Sequence, residues 1–426
     1  MKEETKMKTK ITKIYQSYGG LVLLGMVGIP IGSVVGVIDT LFGKILLRIT
    51  DIRQIYPMYL LPFLAVAGIV IAYCYGKFGG KSSKGMNLIF EVGHEEAEDI
   101  PLRFIPFAIC GTWLTHLFGG SAGREGVAVQ IGATTSHWIG KRLPFKNTSR
   151  IFLVTGMAAG FAGLFQTPIA AVLFAMEVLV AGALEYQALL PAFIASFTAS
   201  TVSKSLGLEK FSFTLTSNVV FDLSMFLKLI VLGITFGIVG SAFAWCLKRT
   251  KKVLGDAFKN PILRIAVVGL CLSIVLLLCY KGRYSGLGTN LIQNSFYGGE
   301  TFTYDWLLKF ILTILTLAAG FQGGEVTPLF SIGASLGVVL AGVIHLPIEL
   351  VAALGYASVF GSATNTLFAP VFIGAEVFGY SYLPYFFIVC VVGYAFNRNQ
   401  SIYSLQKTTA HSENPTHVFL FDEKKK

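Results

Sequence analysis

The stretch GSAGREGVAVQIGA, residues 120–133, sets three glycines around an arginine and a glutamate at the head of an apolar run. That order predicts a helix N-terminus, where several backbone N–H groups lack partners and about half a positive charge accumulates. Glycine leaves those amides uncovered, so the expected guest is an anion. Glu125 stands in the middle of the stretch. A carboxylate inside apolar surroundings is costly and marks a working position.

Composition places this loop in a membrane. Of 426 residues, 54% are hydrophobic and 13% charged, with a mean hydropathy of +0.67; soluble proteins carry about 25% charged residues. The chain is therefore read as an all-α polytopic membrane protein in a lipid bilayer. The polar, lysine-rich start MKEETKMKTKITK continues too long before the first apolar run, residues 19–38, to be a cleavable signal. Residues 1–17 are expected to stay as a cytoplasmic tail. The net charge of +11 gathers there, in KRLPFKNTSR (residues 141–150) and in the expected turn KRTKK (residues 248–252). Short basic segments flanking apolar runs follow the positive-inside pattern and put both termini in the cytoplasm. Aromatic residues among them are limited to Tyr15 and Phe145, with no regular aromatic-basic interleaving, so no nucleic-acid partner is expected. The six cysteines are scattered singly and read as small core residues, without a disulfide framework or metal site. HEEAE, residues 94–98, lacks the HExxH spacing and reads as a solvated loop.

Some apolar segments span a bilayer, among them residues 58–75, 226–246 and 262–280. Others are short or broken by glycine and proline: residues 126–139, 151–164, 168–180 and 328–340. Broken helices at membrane depth are tolerated where they line a protein cavity. The breaks also repeat. Shifted by 199 residues, TGMAAGFAGLFQTPIAAVLFAMEV matches LGYASVFGSATNTLFAPVFIGAEV at Gly156/Gly355, Phe161/Phe360, Thr167/Thr366 and Glu177/Glu376, among others. Glu125 is answered 200 residues later by Glu325 in GGEVTPLFSIGA, and each is followed by an Ile-Gly-Ala tripeptide. Two transmembrane repeats, residues 18–207 and 222–405, are expected, with a C-terminal cytoplasmic tail from 406 to 426. Paired interruptions in two repeats point to a binding site at the membrane midplane.

Two helix starts converging there bind an anion without a full cation. Ionised, Glu125 is itself an anion and competes for the same amides; protonated, it has no reason to stay. Proton and anion binding are then coupled by competition for one place. Glu177 and Glu376 are expected to satisfy backbone donors at helix ends. Arg124 is expected to tie down its loop, and His116, His137 and His345 to be packed and hydrogen-bonded.

GSAGREGVAVQIG closely resembles the signature of the CLC family of chloride channels and anion/proton antiporters, in which the glutamate of GREG is the external gate. GGEVTP stands where that family carries its second anion-site motif, and Tyr403 in NQSIYSLQ looks like its central pore tyrosine. The resemblance spans residues 18 to 410. It implies a homodimer with one pore per subunit, each subunit an inverted repeat of tilted, partly re-entrant helices, and no cofactor.

Departures from the commonest pattern of that family refine the expectation. A serine that serves chloride is replaced by Met86, in the run Gly85-Met86-Asn87-Leu88-Ile89. The second motif has Val326 for the usual phenylalanine, preceded by Glu325 and followed by Thr327, and Val178 stands where chloride exchangers carry an internal proton-transfer glutamate. Together these resemble the fluoride/proton antiporter branch, bacterial exporters of the cytoplasmic membrane. The resemblance assigns gating and proton transfer to Glu125 and Glu325. It assigns anion binding to Met86, Gly126, Val127, Ala128, Val326, Thr327 and Tyr403. Asn87, Ile89, Phe90 and Phe330 are added as pore-lining candidates, Ile89 and Phe90 because residues three and four apart from Met86 share its helix face. Fluoride is small and strongly hydrated, so compact donors such as the Thr327 hydroxyl suit it. Glu325 is read as a proton carrier or fluoride ligand, the rival being a cap on the following helix. Two other readings are carried. One is a chloride channel or chloride/proton exchanger on the same scaffold. The other is an intramembrane serine hydrolase, since residues 119–123 fit G-x-S-x-G, with His345 as the available base; the non-enzyme reading is preferred to it.

If Glu125 gates the path, Glu125→Gln abolishes or uncouples exchange, and Glu325→Gln alters fluoride flux or its proton coupling. Ion-electrode recordings from liposomes check both, and full coupled exchange in either variant counts against that residue's role.

Overall fold

A long first helix, α1 (Lys2–Ile55), opens the chain and runs unbroken from the lysine-rich start into the apolar region. The computed structural model describes residues 2–143, 148–217 and 219–409. Much of the tail expected from residue 406, and part of the basic segment 141–150, lie outside the described residues.

Proline splits the second apolar segment into α2 (Pro57–Leu60) and α3 (Leu64–Cys74), and glycine starts α4 (Met86–Gly93). The first half continues with α5 (Phe104–Leu117), α6 (Glu125–Gly140), α7 (Ser149–Phe165), α8 (Pro168–Glu177) and α9 (Leu189–Ser205). The second half repeats the order: α10 (Leu223–Ala257), α11 (Pro261–Leu278), α12 (Thr289–Tyr297), α13 (Asp305–Ala319), α14 (Val326–Ile344), α15 (Ile348–Thr364), α16 (Phe368–Phe378) and α17 (Leu383–Phe396). Extended pairing among the described residues is limited to β1 (Val180–Ala181) against β2 (Lys407–Thr408) and a bridge between Gly123 and Gly324. Segments long and apolar enough to cross a membrane include Val22–Ile55, Leu223–Ala257 and Pro261–Leu278. Their exposed faces carry Val22, Leu41, Val231, Trp245 and Ile274, an apolar belt suited to lipid.

The short helices form the interior, and small residues bring their backbones together. A Cβ on Gly132 in α6 would lie 2.0 Å from the Gly156 carbonyl of α7. Its counterpart on Gly333 in α14 would lie 2.1 Å from the Gly355 carbonyl of α15. Glycine at these crossings allows the close helix approach on which packing in a membrane depends.

The halves are joined by exchanged caps. Glu177, at the end of α8, accepts the amides of Leu367 (3.1 Å), Phe368 (3.1 Å) and Ala369 (2.8 Å) at the start of α16. Glu376, near the end of α16, accepts those of Ile169 (3.2 Å) and Ala170 (2.9 Å) at the start of α8. Each helix ends where the other begins, so these repeat-related helices run antiparallel and the repeats are inverted. The two carboxylates do satisfy helix-end donors, each in the opposite repeat.

Other expectations are corrected. Residues 248–252 are no turn; they continue α10, which ends at Ala257. The apolar run 328–340 belongs to the 19-residue α14. Of the cysteines only Cys390 is buried, and Cys110 and Cys271 are exposed. His116 and His137 are buried, but His345 is exposed in a left-handed conformation (φ 55°) at the end of α14. Outside the apolar region, Lys407 bonds Glu96 at 2.7 Å and holds that carboxyl below its ordinary range.

Glu177→Gln presents an amide hydrogen to amide donors and is expected to destabilise the fold by about 1–3 kcal/mol; Glu376→Gln, with fewer bonds, costs less. Thermal unfolding of the purified variants measures this, and an unchanged melting temperature for Glu177→Gln would contradict the capping role.

Candidate functional site

Two glycine-rich loops meet edge to edge at the centre of the molecule. The Gly123 amide donates to the Gly324 carbonyl at 2.5 Å, and the Gly324 amide returns a bond to the Gly123 carbonyl at 2.8 Å. Gly323, at φ 154°, lies 2.5 Å from Ala122 Cβ when given a Cβ of its own, so a side chain there would part the loops. From this clasp α6 and α14 set out with their N-termini side by side.

Glu125 opens α6 and is 1% exposed. Its Oε2 accepts the Thr327 amide at 3.2 Å, the Thr327 hydroxyl, and the Arg124 amide at 3.3 Å. The carboxylate thus lies on the first turn of α14, where backbone donors and the helix dipole favour negative charge. Arg124 Nε stands 3.7 Å from Glu125 Oε1. The Arg124 side chain pairs with Glu125 of its own loop; among the described residues Nε and Nη1 are buried without well-formed hydrogen bonds, and the residue borders a cavity shared with Glu125. That cavity, about 450 Å3, is also lined by Thr327, Tyr356, Lys210 and Asp51. It opens on the face where α1 ends.

The expected anion-binding amides divide. Those of Val127 and Ala128 both donate to the Arg124 carbonyl at 3.1 Å, while the Gly126 amide has no backbone acceptor among the described residues. Val326 is buried at the first position of α14, one residue before Thr327. Glu325 is half-buried and makes no side-chain cap to α14, which removes the capping alternative. Its Oε2 lies 3.9 Å from where a Cβ on Gly126 would stand, and it is within electrostatic reach of Tyr403.

Met86 begins α4 after Gly85, whose φ of 58° only glycine adopts readily. The exposed Asn87 accepts a bond from Ser404 at 3.0 Å. Phe90 stacks on Tyr403 with ring centroids 5.3 Å apart, whereas Ile89 is fully enclosed. Because α2 and α3 lead the chain back from the end of α1, this group lies toward the face opposite the cavity. Between the two run aromatic rings: Tyr403 to Phe174 (6.4 Å), Phe174 to Phe360 (6.0 Å), Phe360 to Phe330 (5.1 Å), and Phe330 to Tyr356 (4.1 Å). Of these rings, Phe360 carries a sequence signal only as the repeat partner of Phe161, and Tyr356 and Phe174 carry none, since aromatic residues are common in apolar helices.

Among the described residues no histidine base is placed against Ser121 as a hydrolase would need. Ser121 is buried with its hydroxyl engaged by Lys309 and Thr313, and the exposed His345 is not its partner.

The model of the voltage gated chloride channel family matches residues 67–398. A chloride/fluoride channel protein of Pseudomonas syringae pv. tomato is 33% identical over 415 residues, covering 95% of this chain and 90% of the relative. The crystal structure of a CLC-type fluoride/proton antiporter superposes with a TM-score of 0.91 at 56% identity, covering 92% of this chain and 99% of that one. A slow cyanobacterial chloride/proton antiporter shares the fold at a TM-score of 0.75 and 18% identity, over 88% of this chain and 94% of its own.

A methyl on Gly123 would meet the Gly324 carbonyl at 3.0 Å and Pro328 at 2.9 Å, whereas one on Gly126 meets nothing closer than 3.4 Å. Gly123→Ala is expected to lower anion flux at least about tenfold by parting the clasp, and Gly126→Ala far less. Flux from liposomes containing each variant tests the contrast, and equal flux refutes it.

Proposed function

The chain belongs to the voltage-gated chloride channel, or CLC, family, and on that premise we propose that it is a fluoride/proton antiporter that exports fluoride from the cytoplasm in exchange for protons. The observation that carries the proposal is the Glu125 carboxylate seated on the Thr327 amide and hydroxyl. A carboxylate oxygen held by those donors stands in for a small anion. When Glu125 takes a proton its attraction to the α14 N-terminus falls, the side chain leaves, and fluoride takes the same donors. Loss of the proton returns the carboxylate and displaces the ion.

Fluoride is favoured over chloride by the donor chemistry. Thr327 offers an N–H and an O–H together, a compact pair that repays dehydration of a small ion, while Met86 brings no hydroxyl to the inner end. Gly126 and Val326 leave the two helix starts open to the ion, and Tyr403 with Phe90 forms the aromatic inner wall. Glu325, between the first loop and Tyr403, takes part in proton delivery or fluoride binding. Asn87 lies at the inner mouth; Phe330 backs the site through Tyr356, and the enclosed Ile89 supports it. The 56% identity to a structure described as a fluoride/proton antiporter favours fluoride over a chloride channel or chloride exchanger. Members of this family are transport proteins and not enzymes.

We further propose a homodimer with one pore per subunit in a bacterial cytoplasmic membrane, both termini cytoplasmic. The exposed Phe193, Phe197, Phe387 and Phe396 on α9 and α17 supply apolar surface for the partner. The 18–207 and 222–405 divisions of the repeat and the tails outside them fit this placement.

Purified protein in liposomes under an imposed pH gradient should show proton-driven fluoride efflux, with chloride efflux at least about tenfold slower. Equal chloride flux would overturn the fluoride assignment.

A further inference from the structure

Lys309 lies in the second turn of the apolar helix α13 and is fully buried. Its Nζ has three acceptors: Ser121 Oγ at 2.9 Å, the Tyr284 carbonyl at 3.1 Å and the Gly286 carbonyl at 2.6 Å. An ammonium has three N–H donors and no lone pair, so three acceptors match the charged form; a neutral amine would leave one acceptor facing its lone pair. Ser121 accepts from Lys309, so its own proton goes to Thr313 Oγ1 at 2.9 Å. The serine of the first glycine-rich loop is thereby turned toward α13.

This charge lacks a counter-ion. Lys309 makes no ion pair among the described residues, and the nearby Asp305 is spent on Arg283 at 2.7 Å and the Tyr284 hydroxyl at 2.7 Å. A second buried cation, Arg53, donates to the His116 carbonyl at 2.8 Å and lies against Gly286, adding to the same sign. Uncompensated charge in a membrane interior is expensive and is retained where it acts. What lies before it is the first loop. Gly120 accepts from the Gly286 amide at 3.0 Å, the Ser121 amide donates to Thr316 at 3.2 Å, and Ala122 O meets His116 Nε2 at 2.9 Å. The loop then reaches Gly123 and Glu125, so α13 fixes its back while its front faces the anion donors.

We infer that Lys309 is a positioning residue for the anion site, holding the first loop through Ser121 and contributing a fixed positive charge that raises affinity for the transported anion. The ammonium never touches the ion; it acts through the loop and through a field that the low-dielectric interior screens weakly. This deepens the fluoride reading and rests on it.

Fluoride efflux at varied internal fluoride separates charge from shape. Lys309→Met removes one positive charge. Ser121→Asp keeps a partner for Lys309 and changes the local charge by the same unit, whereas Ser121→Asn alters the shape alone. Lys309→Met and Ser121→Asp are each expected to raise the fluoride KM on the order of tenfold, with Ser121→Asn staying within about threefold of wild type. If Lys309→Met does not elute as a folded protein, the Asp/Asn pair decides. Equal KM values for Ser121→Asp and Ser121→Asn, or a folded Lys309→Met with unchanged KM, overturn the inference. Wild-type efflux in the same vesicles reports separately on the fluoride reading.

Discussion

The antiparallel bridge between Gly123 and Gly324 is the contact on which the site depends. Two backbone hydrogen bonds contribute only about 1 kcal/mol each, yet they bring together two loops 201 residues apart and set two helix N-termini against each other. Any side chain at these positions would separate them. From that geometry follows the central arrangement, in which the carboxylate opening one helix rests on the donors opening the other.

The same logic of exchange recurs through the fold. Glu177 and Glu376 cap each other's helices across the repeat boundary, because the first backbone N–H groups of each helix have no acceptor within the helix itself. In water such ends would be solvated; in a membrane they must be paired within the protein. Inversion of the repeats is what allows the pairing to be reciprocal. The interior is held by these polar contacts and by glycine-mediated crossings, while the long helices present apolar faces outward.

Charge is distributed unevenly around the clasp. Glu125 and Glu325 lie at its front, Arg124 borders the cavity, and Lys309 with Arg53 stands behind the first loop. A site built from helix dipoles and amides has weak intrinsic charge, so fixed cations nearby carry disproportionate influence where screening is low.

The residues alone determined that this chain spans a membrane, that it is duplicated, and that Glu125 stands at the start of a helix behind a glycine-rich break. Hydropathy, repeated motifs and glycine-rich breaks are local properties, so they survive without coordinates. The tertiary structure decided what depends on partners far apart in the chain. It put Glu177 on α16, Glu125 on Thr327 and Lys309 on Ser121, contacts spanning 188 to 202 residues. It turned the Val127 and Ala128 amides inward to Arg124, placed Arg124 beside the carboxylate, and exposed His345. Sequence records which donors and acceptors exist; only the packed chain, obliged to pair nearly all of them away from water, selects which ones meet.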